Sequence, residues 1–214
     1  MIRLTRLSDW LPEGGNMLTI GVLALQGAVQ EHLDCLNALP DVTGVIVKKA
    51  ADFESIDGLI LPGGESTAMG KLLRQFELTQ VLTDKIQSGM PVWGTCAGMI
   101  LLAKNIVGEK SCHLGLMDIS VQRNAYGSQL NSFTTNLLIP SVSSAMIPLV
   151  FIRAPYVESA GPGVNVLATV DDKIVAVEQN NMLATAFHPE LTGNLAFHSY
   201  FAEKVRINNS SFSS

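Results

Sequence analysis

The stretch Pro91-Val92-Trp93-Gly94-Thr95-Cys96-Ala97-Gly98, running straight into Met99-Ile100-Leu101-Leu102-Ala103, decides how the rest of the chain is read. Apolar residues that fit a buried strand are cut by Gly94, a cysteine follows two positions later, and Gly98 stands two beyond it as a helix begins. This is the glycine-x-nucleophile-x-glycine spacing of a strand-to-helix elbow. Glycines at its shoulders permit a sharp turn and close packing, and the middle side chain is presented at the mouth of the sheet. A thiol there lies at the positive end of a helix dipole, which favours the thiolate. Cys96 equally fits a small buried apolar residue, and the local text leaves both readings open.

Composition narrows the class. The 214 residues are 47% hydrophobic and only 15% charged, against about a quarter charged in an ordinary globular chain. This length suffices for one large domain with a substantial core. The net charge is −5 and Lys and Arg do not cluster, which argues against nucleic acid as a ligand. Cys35, Cys96 and Cys112 form an odd set without CxxC or zinc-like spacing, so no metal site is expected and a reducing compartment, the cytoplasm, is. The apolar run 17–25 is too short to span a bilayer, so no membrane association is expected. Residues 1–16 differ in character from the remainder of the chain. They read as a non-native or loosely ordered extension, Glu13-Gly14-Gly15 being what a translated ribosome-binding sequence would give and Met17 the true start.

From Leu18 the chain alternates. Strands are expected at 18–25, 42–47 and 56–61 and in the stretch entering the elbow, with helices at 28–39, 67–75 and 78–87. That rhythm implies right-handed parallel crossovers in a sheet covered on both faces, with ligands at the carboxyl ends of its strands. Both Cys96 and the loop Pro62-Gly63-Gly64-Glu65-Ser66-Thr67 fall there. Further strands are expected at 119–122, 133–139, 149–153, 164–170, 174–178 and 182–187, then a helix over about 194–205. The expected fold is α/β: three layers around a mostly parallel, flavodoxin-like sheet, with additional antiparallel strands in the C-terminal half. One domain would cover 17–207, with a frayed tail at 208–214.

Of the four histidines, His32 and His198 sit on expected helices and read as solvated or capping residues, and Cys112-His113 sit in a loop as neighbours that rarely face each other. His188 differs: it closes an apolar strand and is followed by Pro189-Glu190. Extended backbone before proline lets His188 and Glu190 project to one side, where a carboxylate can orient the imidazole and stabilise the imidazolium. Alone this fits a strand-end histidine beside a solvated glutamate. With Cys96 in an elbow it completes a nucleophile, base and orienting acid.

Gly94-Thr95-Cys96-Ala97-Gly98 with His188-Pro189-Glu190 resembles the triad-type, class I glutamine amidotransferases. More narrowly, 21–27 (Gly-Val-Leu-Ala-Leu-Gln-Gly), 61–67 (Leu-Pro-Gly-Gly-Glu-Ser-Thr), Arg123-Asn124-Ala125-Tyr126-Gly127 and Phe151-Ile152-Arg153-Ala154-Pro155 resemble the glutaminase subunits of pyridoxal 5'-phosphate synthase, in the expected order. The resemblance runs from about Leu18 to Val205 and is weaker over 134–146. It implies that Cys96 is the nucleophile, His188 the base and Glu190 its orienting carboxylate, with Ala97 and the Gly63-Gly64 loop forming the oxyanion hole. It further implies that Gly64, Glu65, Ser66, Arg123, Ile152 and Arg153 contact L-glutamine, and that Gln26 is linked to partner-dependent activation.

The chain carries no nucleotide or phosphate-sugar machinery that could use ammonia. The resemblance therefore implies a separate (β/α)₈ synthase subunit, the partner in a hetero-oligomeric complex, no cofactor in this chain, and slow glutamine hydrolysis until the two dock. Other readings of the same residues are a glutaminase subunit of a histidine or guanine nucleotide synthase, an intracellular-protease-like cysteine hydrolase, and a regulatory module that kept only the fold.

Overall fold

A computed structural model describes residues 17–123 and 132–212. The expected N-terminal extension, the Asn124-Ala125-Tyr126-Gly127 part of one family-like stretch with its turn, and the last two residues lie outside the described residues.

The first half follows the expected alternation: β1 (Leu18–Leu23), α1 (Val29–Asn37), β2 (Val42–Val47), β3 (Gly58–Leu61), α2 (Ser66–Gln75), α3 (Leu78–Gln87), β4 (Val92–Thr95) and α4 (Ala97–Leu102). Strands β3 and β4 are buried along their whole length, which is why they carry continuous apolar text instead of alternation. The second half adds β5 (Ala103–Ile106), β6 (Met117–Gln122), β7 (Ser132–Leu138), β8 (Met146–Ile152), β9 (Tyr156–Ala160), β10 (Asn165–Val170), β11 (Lys173–Gln179), β12 (Met182–Thr185) and α5 (Ala196–Phe212). The main sheet runs β2-β1-β3-β4-β12-β11-β9-β6-β5, with β10 paired to β11 and β7-β8 forming a separate hairpin.

Strands β2, β1, β3, β4 and β12 are mutually parallel, while β11 turns antiparallel to β12 and leads into the antiparallel part. Strand β12 thus leaves its hairpin with β11 and joins the parallel block. It pairs with β4 in a register that sets Thr185 beside Thr95. The residues just past β12 and β4 consequently emerge at the same edge.

Helix α5 closes one face over the middle of the sheet. Phe197 stacks on Trp93 at 6.1 Å between ring centres, Phe201 tilts against the same indole at 5.7 Å, and the indole N–H donates to Thr185 Oγ1 at 3.1 Å. This helix extends well past residue 205, through Phe212, correcting the shorter helix read from the sequence. Polar Asn208-Asn209-Ser210-Ser211 suggested fraying, but Asn209 donates to Asp57 Oδ1 at 2.9 Å and ties the last turn to the sheet.

Two strands were not anticipated. Strand β5 begins inside the apolar run that reads as a continuing helix, because α4 stops after six residues. Strand β9 contains Glu158-Ser159-Ala160, with too little apolar text to stand out, and forms by pairing between β6 and β11.

Candidate active site

Strand β4 ends at Thr95, and Cys96 then takes φ 48° and ψ −100°, a left-handed conformation that a residue with a Cβ adopts only under constraint. The constraint is visible: Cys96 N–H donates to Thr185 O at 2.7 Å, fastening the elbow to β12. On its other side, α4 lies so close to β3 that a Cβ on Gly98 would fall on the carbonyl of Leu61. The glycines flanking the cysteine are therefore required by backbone approach, as their spacing implies.

Across the parallel pairing stands His188, just beyond β12. Its N–H donates to Val150 O at 2.8 Å, and the short 3-10 turn Pro189–Leu191 carries Glu190 back beneath the imidazole. The Nδ1–H donates to Glu190 Oε1 at 2.7 Å, which leaves Nε2 for the other face. Burial pulls the His188 pKa down, but hydrogen bonds to Cys96 and Glu190, with their charges, outweigh it and carry the group up to about 10. Cys96, His188 and Glu190 are all buried.

The glycine loop after β3 packs directly on this imidazole. A Cβ on Gly63 would collide with the His188 ring, so only glycine permits the approach. The loop is held from the β1 side: Ala28 N–H donates to Gly63 O at 3.0 Å, and Glu65 N–H donates to the side-chain oxygen of Gln26 at 2.8 Å. Glu65 in turn caps α2, accepting from the N–H groups of Thr67 at 3.0 Å and Ala68 at 2.7 Å. Partial burial raises its pKa, but these bonds and the nearby Arg123 leave it lowered overall. Arg123 bridges Glu65 at 3.5 Å and Glu109 at 2.6 Å. Two groups expected to meet glutamine are thus engaged with each other.

A cavity of about 510 Å³ opens over these groups, a size suited to a small ligand. Its walls include every site residue expected from the sequence except Glu190: Gln26, Gly63, Gly64, Glu65, Ser66, Cys96, Ala97, Arg123, Ile152, Arg153 and His188. Glu190 sits behind His188. Arg153 has φ 43°, so the backbone after β8 is also held in a left-handed turn at the cavity rim. The reading of the sequence passed over Gly27, Ala28, Ile100 and Leu191, which also line the space. Among the described residues, no group of three His, Cys, Asp or Glu side chains is placed to hold a metal ion.

His32 and His198 correct the sequence reading. Neither is solvated; both are fully buried behind His188 and Glu190, with His32 Nδ1 2.9 Å from His198 Nε2. The signal was available in the spacing. His32 shares the face of Val29, Leu33 and Leu36, and His198 that of Phe201, Ala202 and Val205.

Such an arrangement can add a thiolate to a carbonyl carbon, protonate a leaving group and bind a carboxylate-bearing ligand through arginine. Known proteins agree in fold and text. Residues 22–207 match the SNO glutamine amidotransferase family. The pyridoxal 5'-phosphate synthase subunit PdxT of Ruminiclostridium cellulolyticum is 59% identical over 189 residues, covering 88% of this chain and 100% of that one. A PdxT of Caldanaerobacter subterraneus is 52% identical over 90% of this chain and 100% of its own length. A crystal structure of a glutamine amidotransferase superposes with TM-score 0.82 at 41% identity, over 87% of this chain and 98% of that one. The fold extends further, to a glutamine amidotransferase of Thermotoga maritima with TM-score 0.59 at 12% identity, over 92% of this chain and 86% of that one. With a family match across nearly the whole described chain and relatives above half identity at full length, this chain belongs to the SNO glutamine amidotransferase family.

Proposed function

We propose that this chain hydrolyses the side-chain amide of L-glutamine to glutamate and ammonia, and delivers the ammonia to a separate pyridoxal 5'-phosphate synthase subunit. The carrying observation is the buried contact of 2.7 Å between His188 and Glu190, with His188 lining the same cavity as Cys96 in the elbow. The names borne by relatives above 50% identity favour this synthase over one for histidine or guanine nucleotides.

In this reading Cys96 Sγ attacks the carboxamide carbon and its C=O electrons move onto oxygen. The Ala97 N–H and an N–H of the Gly63-Gly64 loop stabilise the oxyanion. His188 gives its proton to the departing nitrogen, and ammonia leaves a thioester. His188 then takes a proton from water, which attacks the thioester and releases glutamate with the thiol restored. Glu190 keeps the imidazole oriented and stabilises its charged form. Gly64, Glu65, Ser66, Ile152, Arg123 and Arg153 bind the amino acid, the arginines engaging its carboxylate. Gln26, holding the Glu65 N–H, couples that loop to the partner.

Ammonia protonates in water at neutral pH, so the product is useful only if it passes directly to an acceptor site. We therefore place the working enzyme as a hetero-oligomer in the cytoplasm, with residues 17–207 as the amidotransferase domain. The test is glutamine-dependent ammonia release by the chain alone and mixed with a synthase subunit, followed together with pyridoxal phosphate formation. Much faster release in the mixture, abolished by Cys96→Ala, is expected. Ammonia release that persists in Cys96→Ala refutes the reading.

A further inference from the structure

Glu190 uses one carboxylate oxygen on His188. The other, Oε2, is buried and among the described residues has no partner in hydrogen-bond geometry. A buried carboxylate satisfied on one oxygen alone is costly and free to turn. The donor nitrogen placed toward that oxygen is Nε2 of His32, at 3.5 Å, with both side chains fully buried. The same nitrogen lies 3.2 Å from Thr95 Oγ1, so one N–H stands between the β4 hydroxyl and the carboxylate.

The surroundings fix which nitrogen carries the proton. Were it on Nδ1, the Nε2 lone pair would face Glu190 Oε2, two acceptors opposed in a fully buried site. With the proton on Nε2, Nδ1 must accept, and His198 Nε2 lies 2.9 Å away to donate. His198 Nδ1 is then a bare acceptor, and it is without a partner among the described residues. Both rings stay neutral: burial, with His198 and His188 nearby, keeps His32 well below its ordinary value, and burial takes His198 down to about 3. Trp93 fixes the pair by edge contacts at 5.7 Å to His32 and 5.0 Å to His198. The other titratable group here, Cys35, points at the Glu190 carbonyl and is pushed up to about 11, so its thiol remains uncharged.

We propose that His32 is a positioning residue: its Nε2–H, locked by donation from His198, holds the second oxygen of Glu190 and so fixes the carboxylate that orients His188 toward Cys96. The proposal rests on the triad reading. A network from helices α1 and α5 thus reaches the reacting thiol without touching substrate.

The test is the pH profile of Cys96 alkylation by iodoacetamide, read by mass spectrometry on the Cys96 peptide so that exposed Cys112 does not interfere, with kcat and KM for glutamine measured in the synthase mixture. His32→Leu removes the donor. His32→Gln returns an N–H near the Nε2 position, and His32→Asn carries an amide too short to reach it. His32→Leu and His32→Asn are expected to displace the alkylation profile and lower kcat at least about tenfold, as when an outer partner of a metal-bound histidine is lost, with KM little changed. His32→Gln is expected to restore most of both. Should His32→Leu fail to fold, the Asn and Gln pair decides. Equal behaviour of Asn and Gln, or wild-type profiles in all variants, overturns the proposal. A wild-type Cys96 that reacts no faster than Cys112 overturns the triad reading itself, a different failure.

Discussion

At His188 opposing influences meet, and the balance makes a measurable prediction. Burial alone would keep the ring neutral, whereas Cys96 and Glu190 hold its proton to about pH 10. The folded pKa exceeds the ordinary 6.5, so this group stabilises the fold fully below pH 6.5 and loses that contribution as pH rises toward 10. Glu190→Gln should therefore lower the melting temperature most near pH 6, with the deficit shrinking toward pH 10 in a series of thermal melts. The same change should reduce glutamine turnover about a thousandfold or more, since the imidazole loses both its orientation and its counter-charge. His188→Asn should abolish partner-stimulated turnover while leaving the circular dichroism spectrum unchanged.

The elbow acts at the scale of elements, because it is a contact between a helix and two strands. Helix α4 can lie on β3 only while position 98 lacks a Cβ, and Cys96 can adopt φ 48° only while its N–H is held by Thr185. Gly98→Ala should destabilise the protein by about 1–3 kcal/mol or more, the ordinary range for forcing a group into packed space, and lift Cys96 from alignment. Urea unfolding and Cys96 alkylation would measure the two effects. Glu65 offers a milder case: Glu65→Ala removes the side-chain cap of α2 and should cost about 1 kcal/mol in the same unfolding experiment.

For the whole molecule, the buried His32–His198 pair sets the response to acid. Both resist protonation in the fold and accept it when unfolded, so stability falls as pH drops below 6.5. The slope is up to about 1.4 kcal/mol per pH unit for each ring, and His188 adds nothing there because it is protonated in both states. Denaturant unfolding between pH 6.5 and 5 should show this decline, to which His113, lowered chiefly by burial, also adds, and His198→Phe should reduce it.

The sequence by itself determined the parallel half of the sheet, the elbow at Cys96 and the His188-Pro189-Glu190 pairing, because each is written in contiguous residues: period, glycine spacing and proline geometry act locally. It also carried the family's motifs in order. It did not determine that β12 would leave its antiparallel neighbour and pair with β4. Nor did it show that α5 would continue to Phe212, or that β5 and β9 would form where local text is weak. Those follow from pairing and packing between segments far apart in the chain. The histidines show the division best. His32 and His198 read as solvated or capping residues although their spacing shares apolar helix faces; only the closing of α1 and α5 over the sheet buried them together, and burial beside Glu190 makes one ring a candidate support for another.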